Sequence, residues 1–392
     1  MAAKLSIQSD WDQVLRKPEG EAWISCKIAG KPTIYGTLKS NGNGPDGNPE
    51  VISSEEFVVH KVTKKNIVVS CPRLNISRKF VSPYTSFSRV HSKNVTCMDI
   101  SSGGGLGVST STDQTIKIWQ TNNGEIRRVL EGHIYDVYCC MFFPSGKVVL
   151  SGGMDAQVKI WSVDDGSCPV TLKGHKGGVL DLAIVDRGRN IVSCSRDGTA
   201  RLWDCGQASC IAVIGDSSVP INGIAVGLAD NAVNLGAPKE TPSDREVGTE
   251  GKLLILAQED KLLKGVGLHS RESIFVFEGS DAFNCCTAIS SVGVLAGAQD
   301  GNIFHLDIRN PKIPIETINR TGSPVLSLVP FKDGYIASHG DGSCFITQQY
   351  SDEVLQLTGP DCESLYKVVA FEKNIYTCCR DGLIRKYQLT DL

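Results

Sequence analysis

The chain has 392 residues, 41% hydrophobic and 21% charged, with 40 Lys/Arg against 43 Asp/Glu for a net charge of −3. That balance describes a globular protein and excludes a mostly disordered, collagen-like or membrane-embedded chain; no apolar run nears the roughly 18 residues of a spanning helix. The length suits two or three ordinary domains, or one repeat array.

In chain order, MAAKLSIQSDWDQ carries no apolar core of a secretory signal, so the chain is expected to stay inside the cell, cytoplasmic and nuclear rather than secreted. Ala2 behind Met1 suits initiator removal and amino-terminal acetylation. DWDQVLRK reads as a short amphipathic turn or helix, and AWISCKI, TIYGTLK, EFVVHKV and NIVVSC read as strands. SNGNGPDGNPE, between the second and third of these strands, reads as a mobile loop. Residues 1–77 thus form a small β-rich appendage, with Trp11 and Trp23 as its core or its seal. The first 90 residues carry 13 Lys/Arg against 8 Asp/Glu, or +5, and the remainder 27 against 35, or −8. No basic stripe of a nucleic-acid binder is present, and the acidic remainder favours a protein partner with a basic surface.

From residue 91 the sequence repeats. His91, His133 and His175 recur every 42 residues, and so do Ser109, Ser151 and Ser193, Asp113, Asp155 and Asp197, and Trp119, Trp161 and Trp203. A period near 40, with alternating strands between turn residues, predicts propeller blades of four strands. The turn Asp returns at Asp260, Asp300, Asp341 and Asp381, which makes seven blades. The long step from Asp197 to Asp260 places an insertion at 227–251 in blade four, polar and turn-rich and therefore expected to be locally disordered. The last unit ends after three strands, and residues 78–90 are placed to supply the missing outer one.

The three clean units resemble the WD-repeat family. The resemblance implies an all-β fold, a seven-bladed WD-repeat β-propeller following the small β-rich N-terminal appendage over 78–392. It also implies that each His, Ser, Asp and Trp set forms a hydrogen-bonded tetrad. Their chemistry agrees: indole only donates, a hydroxyl donates and accepts, and imidazole bridges to a carboxylate. Three copies of one Ser–His–Asp arrangement argue for structural cement over catalysis, so neither catalytic nor metal-ligating residues are assigned. The fifteen cysteines include no Cys-x-x-Cys, and the adjacent pairs Cys139–Cys140, Cys285–Cys286 and Cys378–Cys379 point to opposite strand faces, which disfavours a shared metal.

The whole chain, appendage and insertion included, is similar to a narrower family of assembly chaperones for the proteasome regulatory particle. That resemblance implies a monomeric, non-catalytic partner of the carboxy-terminal domains of regulatory-particle ATPase subunits, with no cofactor, nucleic acid or membrane. Its action would be steric, keeping the immature particle off the proteolytic core. The alternative is a substrate receptor of a cullin-type ubiquitin ligase, for which Leu306-Asp307-Ile308-Arg309 is the nearest approach to the required Trp-Asp-x-Arg. In WD propellers the loops before each first strand share a face with the second-to-third-strand turns. On that face Tyr135 and Asp136 accompany acids in the later blades, Asp216, Glu259, Asp281, Asp361 and Glu363. These are the candidate partner-binding residues, weighed against ordinary solvated loop charges.

Overall fold

A computed structural model describes residues 3–28, 30–45, 47–230, 233–238, 241–348 and 354–389. Ala2, and residues 231–232 and 239–240 of the insertion, lie outside them.

The repeated alternation of apolar and polar residues produces seven blades among the described residues, six of them four-stranded antiparallel sheets and one part of a larger sheet. The innermost strands run Val95–Ile100, Val137–Phe142, Val179–Val185, Ile221–Leu228, Phe283–Ala288, Val325–Phe331 and Leu365–Phe371. Each lies against the next, and the seventh returns to the first, closing the ring. Apolar side chains of neighbouring blades fill the space between the sheets, as where Val108, Ile118 and Leu130 of blade one meet Cys140, Val149 and Phe142 of blade two. Closure leaves no inner edge to aggregate.

The amino-terminal strands are β1 (Ala3–Ile7), β2 (Glu21–Ile28), β3 (Ile34–Asn43), β4 (Pro49–Ser53), β5 (Val58–Val62), β6 (Asn66–Cys71), β7 (Ile76–Val81) and β8 (Thr85–Phe87), with helix α1 at Trp11–Val14. They do not form one appendage ending at residue 77. β1 to β4 make a separate sheet, whereas β7 pairs in parallel with Leu355–Leu357, the fourth strand of blade six, and carries β6 and β5 with it. Blade six is therefore a seven-stranded sheet. The stretch 78–90 divides likewise: Arg78 to Val81 belong to β7, and only β8 pairs with the third strand of blade seven, Lys386 opposite Thr85 and Ile384 opposite Phe87. Two outer strands need partners, one in each of the last two blades, and the connecting segment serves both.

The β1–β4 sheet packs Leu5, Ile24, Cys26 and Leu38 onto Ile67, Val69, Cys71 and Phe80 of the extension. Trp11 is buried and its Nε1–H donates to Thr358 Oγ1 at 3.2 Å, sealing the appendage to the propeller. Trp23 differs from the core role expected of it. It is exposed, because in β2 it alternates with the buried Ala22 and Ile24. The expected mobile loop is a hairpin, since β3 continues to Asn43 and the Gly44 N–H donates to Asn48 O at 2.8 Å.

The insertion also departs from expectation. Leu228 and Gly227 pair with Lys252 and Leu253, so the first strand of blade four runs on through residue 228. The described residues beyond it are tied to the turns on the far side of the propeller. Val247 N–H donates to Asn190 Oδ1 at 2.6 Å, and Arg245 Nη1 donates to Gln207 Oε1 and Ser209 Oγ at 3.1 and 2.8 Å. The Glu246 carboxylate is buried against Arg271 at 2.5 Å and His269 at 3.4 Å. The polar groups of Arg245 and Glu246 are thus spent on these bonds instead of on water.

Candidate functional site: the tetrad-loop face

In blades one to three a chain of hydrogen bonds links the outer-to-inner loop, the second strand, the turn and the third strand. In blade two, Trp161 Nε1–H donates to Ser151 Oγ at 2.8 Å. Ser151 Oγ lies 2.8 Å from His133 Nε2, and His133 Nδ1 lies 2.8 Å from Asp155 Oδ2. A carboxylate only accepts, so Nδ1 carries the proton; Nε2 then accepts from Ser151, whose oxygen accepts from the indole. The same chain measures 3.1, 2.8 and 3.1 Å through Trp119, Ser109, His91 and Asp113, and 2.8, 2.7 and 3.0 Å through Trp203, Ser193, His175 and Asp197.

Burial pushes the carboxyls of Asp113, Asp155 and Asp197 up, yet hydrogen bonds from the imidazoles, neighbouring backbone N–H groups and, at Asp113 and Asp197, threonine hydroxyls hold Asp155 below and Asp113 and Asp197 well below the usual carboxylate range. Burial lowers His175, and Asp197 offsets that in part, so its imidazole is neutral. The glycine before the second and third histidines is required by the same packing: Gly132 and Gly174 have φ of +150° and +159°, and a Cβ on either would sit 3.1 Å from the indole of Trp161 or Trp203. All twelve tetrad residues are thus brought together, four by four, with their polar groups spent on one another.

The turn aspartate has a second task that all seven blades share. Its Oδ1 accepts the N–H two residues on: Thr115, Gln157, Thr199, Leu262, Asn302, Ser343 and Leu383, at 2.9 to 3.3 Å. Blade seven adds a clasp that the repeat did not signal. Arg385 donates to Asp381 at 2.5 Å and to Gly359 O at 3.2 Å, and Tyr387 O–H donates to Thr358 O at 2.6 Å. Only the sequence offset could have found it, because Tyr387 stands where the earlier blades have Trp.

The partner-binding candidates lie in loops and turns of this one face but form no single cluster. Tyr135 is exposed and Asp136 half-buried before blade two; Asp216 is exposed before blade four. Glu259 is exposed in the turn of blade four and accepts from Asn222 Nδ2 at 2.6 Å. Asp281 is half-buried before blade five, where it caps Ala282 N–H. Asp361 is exposed before blade seven, and Glu363 pairs with Arg380 at 3.7 Å. Sequence reasoning missed Ile134, which is exposed beside Tyr135; with Met154 of the blade-two turn it makes three large apolar side chains turned to solvent.

The ring encloses a channel of about 630 Å³ lined by Asp99, Asp181, Asn222, Asn284 and Lys367. Two of these acids are inter-blade bolts: Asp99 accepts Phe142 N–H at 2.7 Å and Asp181 accepts Ile224 N–H at 3.0 Å. Burial pushes Asp99 up to about 6. Lys367 is held charged against burial by Asp181, Cys97 and Asp99. No three His, Cys, Asp or Glu among the described residues are placed to hold a metal ion, and the fifteen cysteines are free. Arg309, the residue on which the ligase-receptor alternative turns, has its guanidinium engaged by Asp307 at 2.5 Å.

The fold and its tetrads define a WD-repeat β-propeller. Residues 82–120, 124–162 and 166–204 match the WD domain, G-beta repeat. Over the full length of both chains, the sequence is 70% identical to proteasomal ATPase-associated factor 1 of Gallus gallus and 67% identical to that of Homo sapiens. It is 38% identical to the probable proteasomal ATPase-associated factor 1 of Dictyostelium discoideum, covering 97% of this chain and 95% of that one. The chain belongs to the family of proteasomal ATPase-associated factors.

Proposed function

We propose that this chain is a non-catalytic docking platform that binds ATPase subunits of the proteasome regulatory particle through its tetrad-loop face. It acts there as an assembly chaperone and a negative regulator, occupying a surface that the immature particle would otherwise present to the core particle. Its place of action is the cytoplasm and nucleus, and it is a monomer when free. The observation that carries the reading is the exposed group Ile134, Tyr135 and Met154 on a face whose later loops carry Asp216, Glu259, Asp281 and Asp361. An apolar anchor beside scattered acids suits a basic domain with an apolar contact point. The names of the full-length relatives supply the class of partner. The regular His and Asp residues offer no reacting group, since their polar atoms are engaged within the tetrads.

The test is co-purification with identified ATPase subunits. An Asp281→Lys, Asp361→Lys, Glu363→Lys variant should melt as wild type does and lose most of its affinity. Tyr135→Ala should lose roughly tenfold, about 1.4 kcal/mol. Unchanged capture by both folded variants at physiological salt overturns this face as the docking site, and recovery of a ligase adaptor in place of ATPase subunits overturns the function.

A further inference from the structure

The basic charge of the amino-terminal region is not spread evenly. Residues 1–56 carry 6 Lys/Arg against 8 Asp/Glu, whereas residues 57–90 carry 7 Lys/Arg and no acid at all. Those 34 residues are the strands that extend blade six and close blade seven. Their inner face, with Ile67, Val69 and Phe80, is buried under the β1–β4 sheet. The outer face is fixed by alternation and register: Lys61 lies opposite Val68, and Val68 opposite Lys79. One step along, Val58 lies opposite Ser70, and Ser70 opposite Ser77. Val58 and Lys61 are exposed, and Val68 and Lys79 are half-buried.

Two cations of this region already have carboxylates, Lys65 with Asp12 at 2.8 Å and Arg73 with Glu56 at 3.9 Å. Lys61 and Lys79 have no ion-pair partner among the described residues. They flank an apolar valine across two strand spacings, so their rows are about 10 Å apart. Like charges gathered on one sheet face repel, and no carboxylate among the described residues pairs with either lysine.

We propose that the outer face of β5–β7 docks an acidic segment of a second protein, with two carboxylates about 10 Å apart on Lys61 and Lys79, an apolar side chain on Val68 between them and Val58 one row along. The sign of the charge separates this partner from the one assigned to the tetrad-loop face, where acids await a basic surface. The platform is thus two-sided, and the two surfaces do not depend on each other. A single-stranded nucleic acid fits less well. The outer rows of β5–β7 hold Lys, Val, Ser and His but no aromatic platform for bases. A polyanionic backbone would also meet the −8 of the remaining chain at longer range.

The experiment pans a random 15-residue peptide display library against the immobilised full chain. The recovered pool should be enriched in Asp and Glu flanking Leu, Ile, Val or Phe. A Lys61→Glu, Lys79→Glu variant that melts as wild type does should retain at least tenfold less of the acidic pool, and Lys61→Ala, Lys79→Ala an intermediate amount. The variant Asp281→Lys, Asp361→Lys, Glu363→Lys should retain all of it, so failure of the tetrad-face reading would be told apart from failure here. A pool without acidic enrichment, full retention on the folded Lys→Glu variant, or displacement of the pool by a 15-nucleotide oligothymidylate would each overturn the proposal.

Discussion

Blades one to three and blades four to seven solve the same problem differently. In the first group each loop is tied down by a buried relay of indole, hydroxyl, imidazole and carboxylate. In the second group the relay is replaced piece by piece. Blade four puts Leu256 and Val266 where Ser and Trp would stand, leaving apolar packing. Blade five closes its loop through Ser280 and Asn302 on Asp300, at 2.5 and 2.7 Å. In blade six the Lys4–Asp341 ion pair at 2.5 Å ties the appendage to the turn, while Ser338 Oγ and His339 Nε2 have no hydrogen-bond partner among the described residues. Blade seven uses Arg385 and Tyr387. Only the turn aspartate survives throughout, because its carboxylate caps the turn's own N–H group and needs nothing from the neighbouring loop. The loop before a degenerate blade is therefore freer to vary, and the candidate acids Asp216, Asp281, Asp361 and Glu363 sit in those loops.

The largest test of this comparison is Trp161→Ala. Trp161 is buried and belongs to the core shared by blades one to three. Losing it leaves a cavity and removes the indole donor from Ser151, which keeps only His133, a cost of about 3–5 kcal/mol in thermal or denaturant unfolding. Leu306 occupies the same turn offset in blade five with no hydrogen bond to lose, and Leu306→Ala should cost about 2–3 kcal/mol. Equal costs would mean that the relay adds nothing beyond volume.

Blade seven offers the second test. Arg385 is buried, with Asp381 as its ion-pair partner and Nη1 without a hydrogen-bond partner among the described residues. Removing only the acid strands a buried cation, so Asp381→Leu should cost roughly 3 kcal/mol; Asp381→Leu with Arg385→Met should recover more than half of that. A double variant worse than Asp381→Leu would show two independent roles in place of one clasp.

The seven blades, the tetrads and the position of the insertion were legible in the sequence because a fixed offset leaves a fixed residue. The degenerate blades were countable only through their aspartates. What was not legible depends on contacts between distant segments. Nothing local in ISRKFV tells β7 to join blade six, because the instruction is the unpaired edge of Leu355–Leu357, almost 280 positions away. The ties made by Arg245, Glu246 and Val247 of the insertion were hidden for a related reason: Asn190, Gln207 and His269, which receive their polar groups, read as ordinary turn residues. The appendage charge was visible as a sum, but its concentration on one outer face required the register of β5 to β7.

The smallest effect compares two histidines. In blade three Asp197 bonds His175 and offsets part of the lowering that burial causes. In blade six burial takes His339 down to about 4; Asp341 opposes the shift, and Lys4 and Arg320 reinforce it. Both are depressed below the unfolded value near 6.5, so both contribute stability that is complete above that pH and declines as pH falls through it. For His339 the decline continues to about pH 4, whereas the depressed carboxylates of the tetrads lose their contribution only below about pH 4. At pH 5.5, one unit below the unfolded value, His339 should account for about 1.4 kcal/mol of the stability lost relative to pH 7.5. Its ring stands edge-on to Phe345 with centroids 5.5 Å apart, so His339→Leu keeps an apolar contact while removing the titration. That variant should melt with a visibly shallower drop between pH 7.5 and 5.5 than wild type. An identical drop would assign the acid sensitivity elsewhere, and the tetrad histidine of blade three, whose Nδ1–H donates to a carboxylate, would be the next to replace.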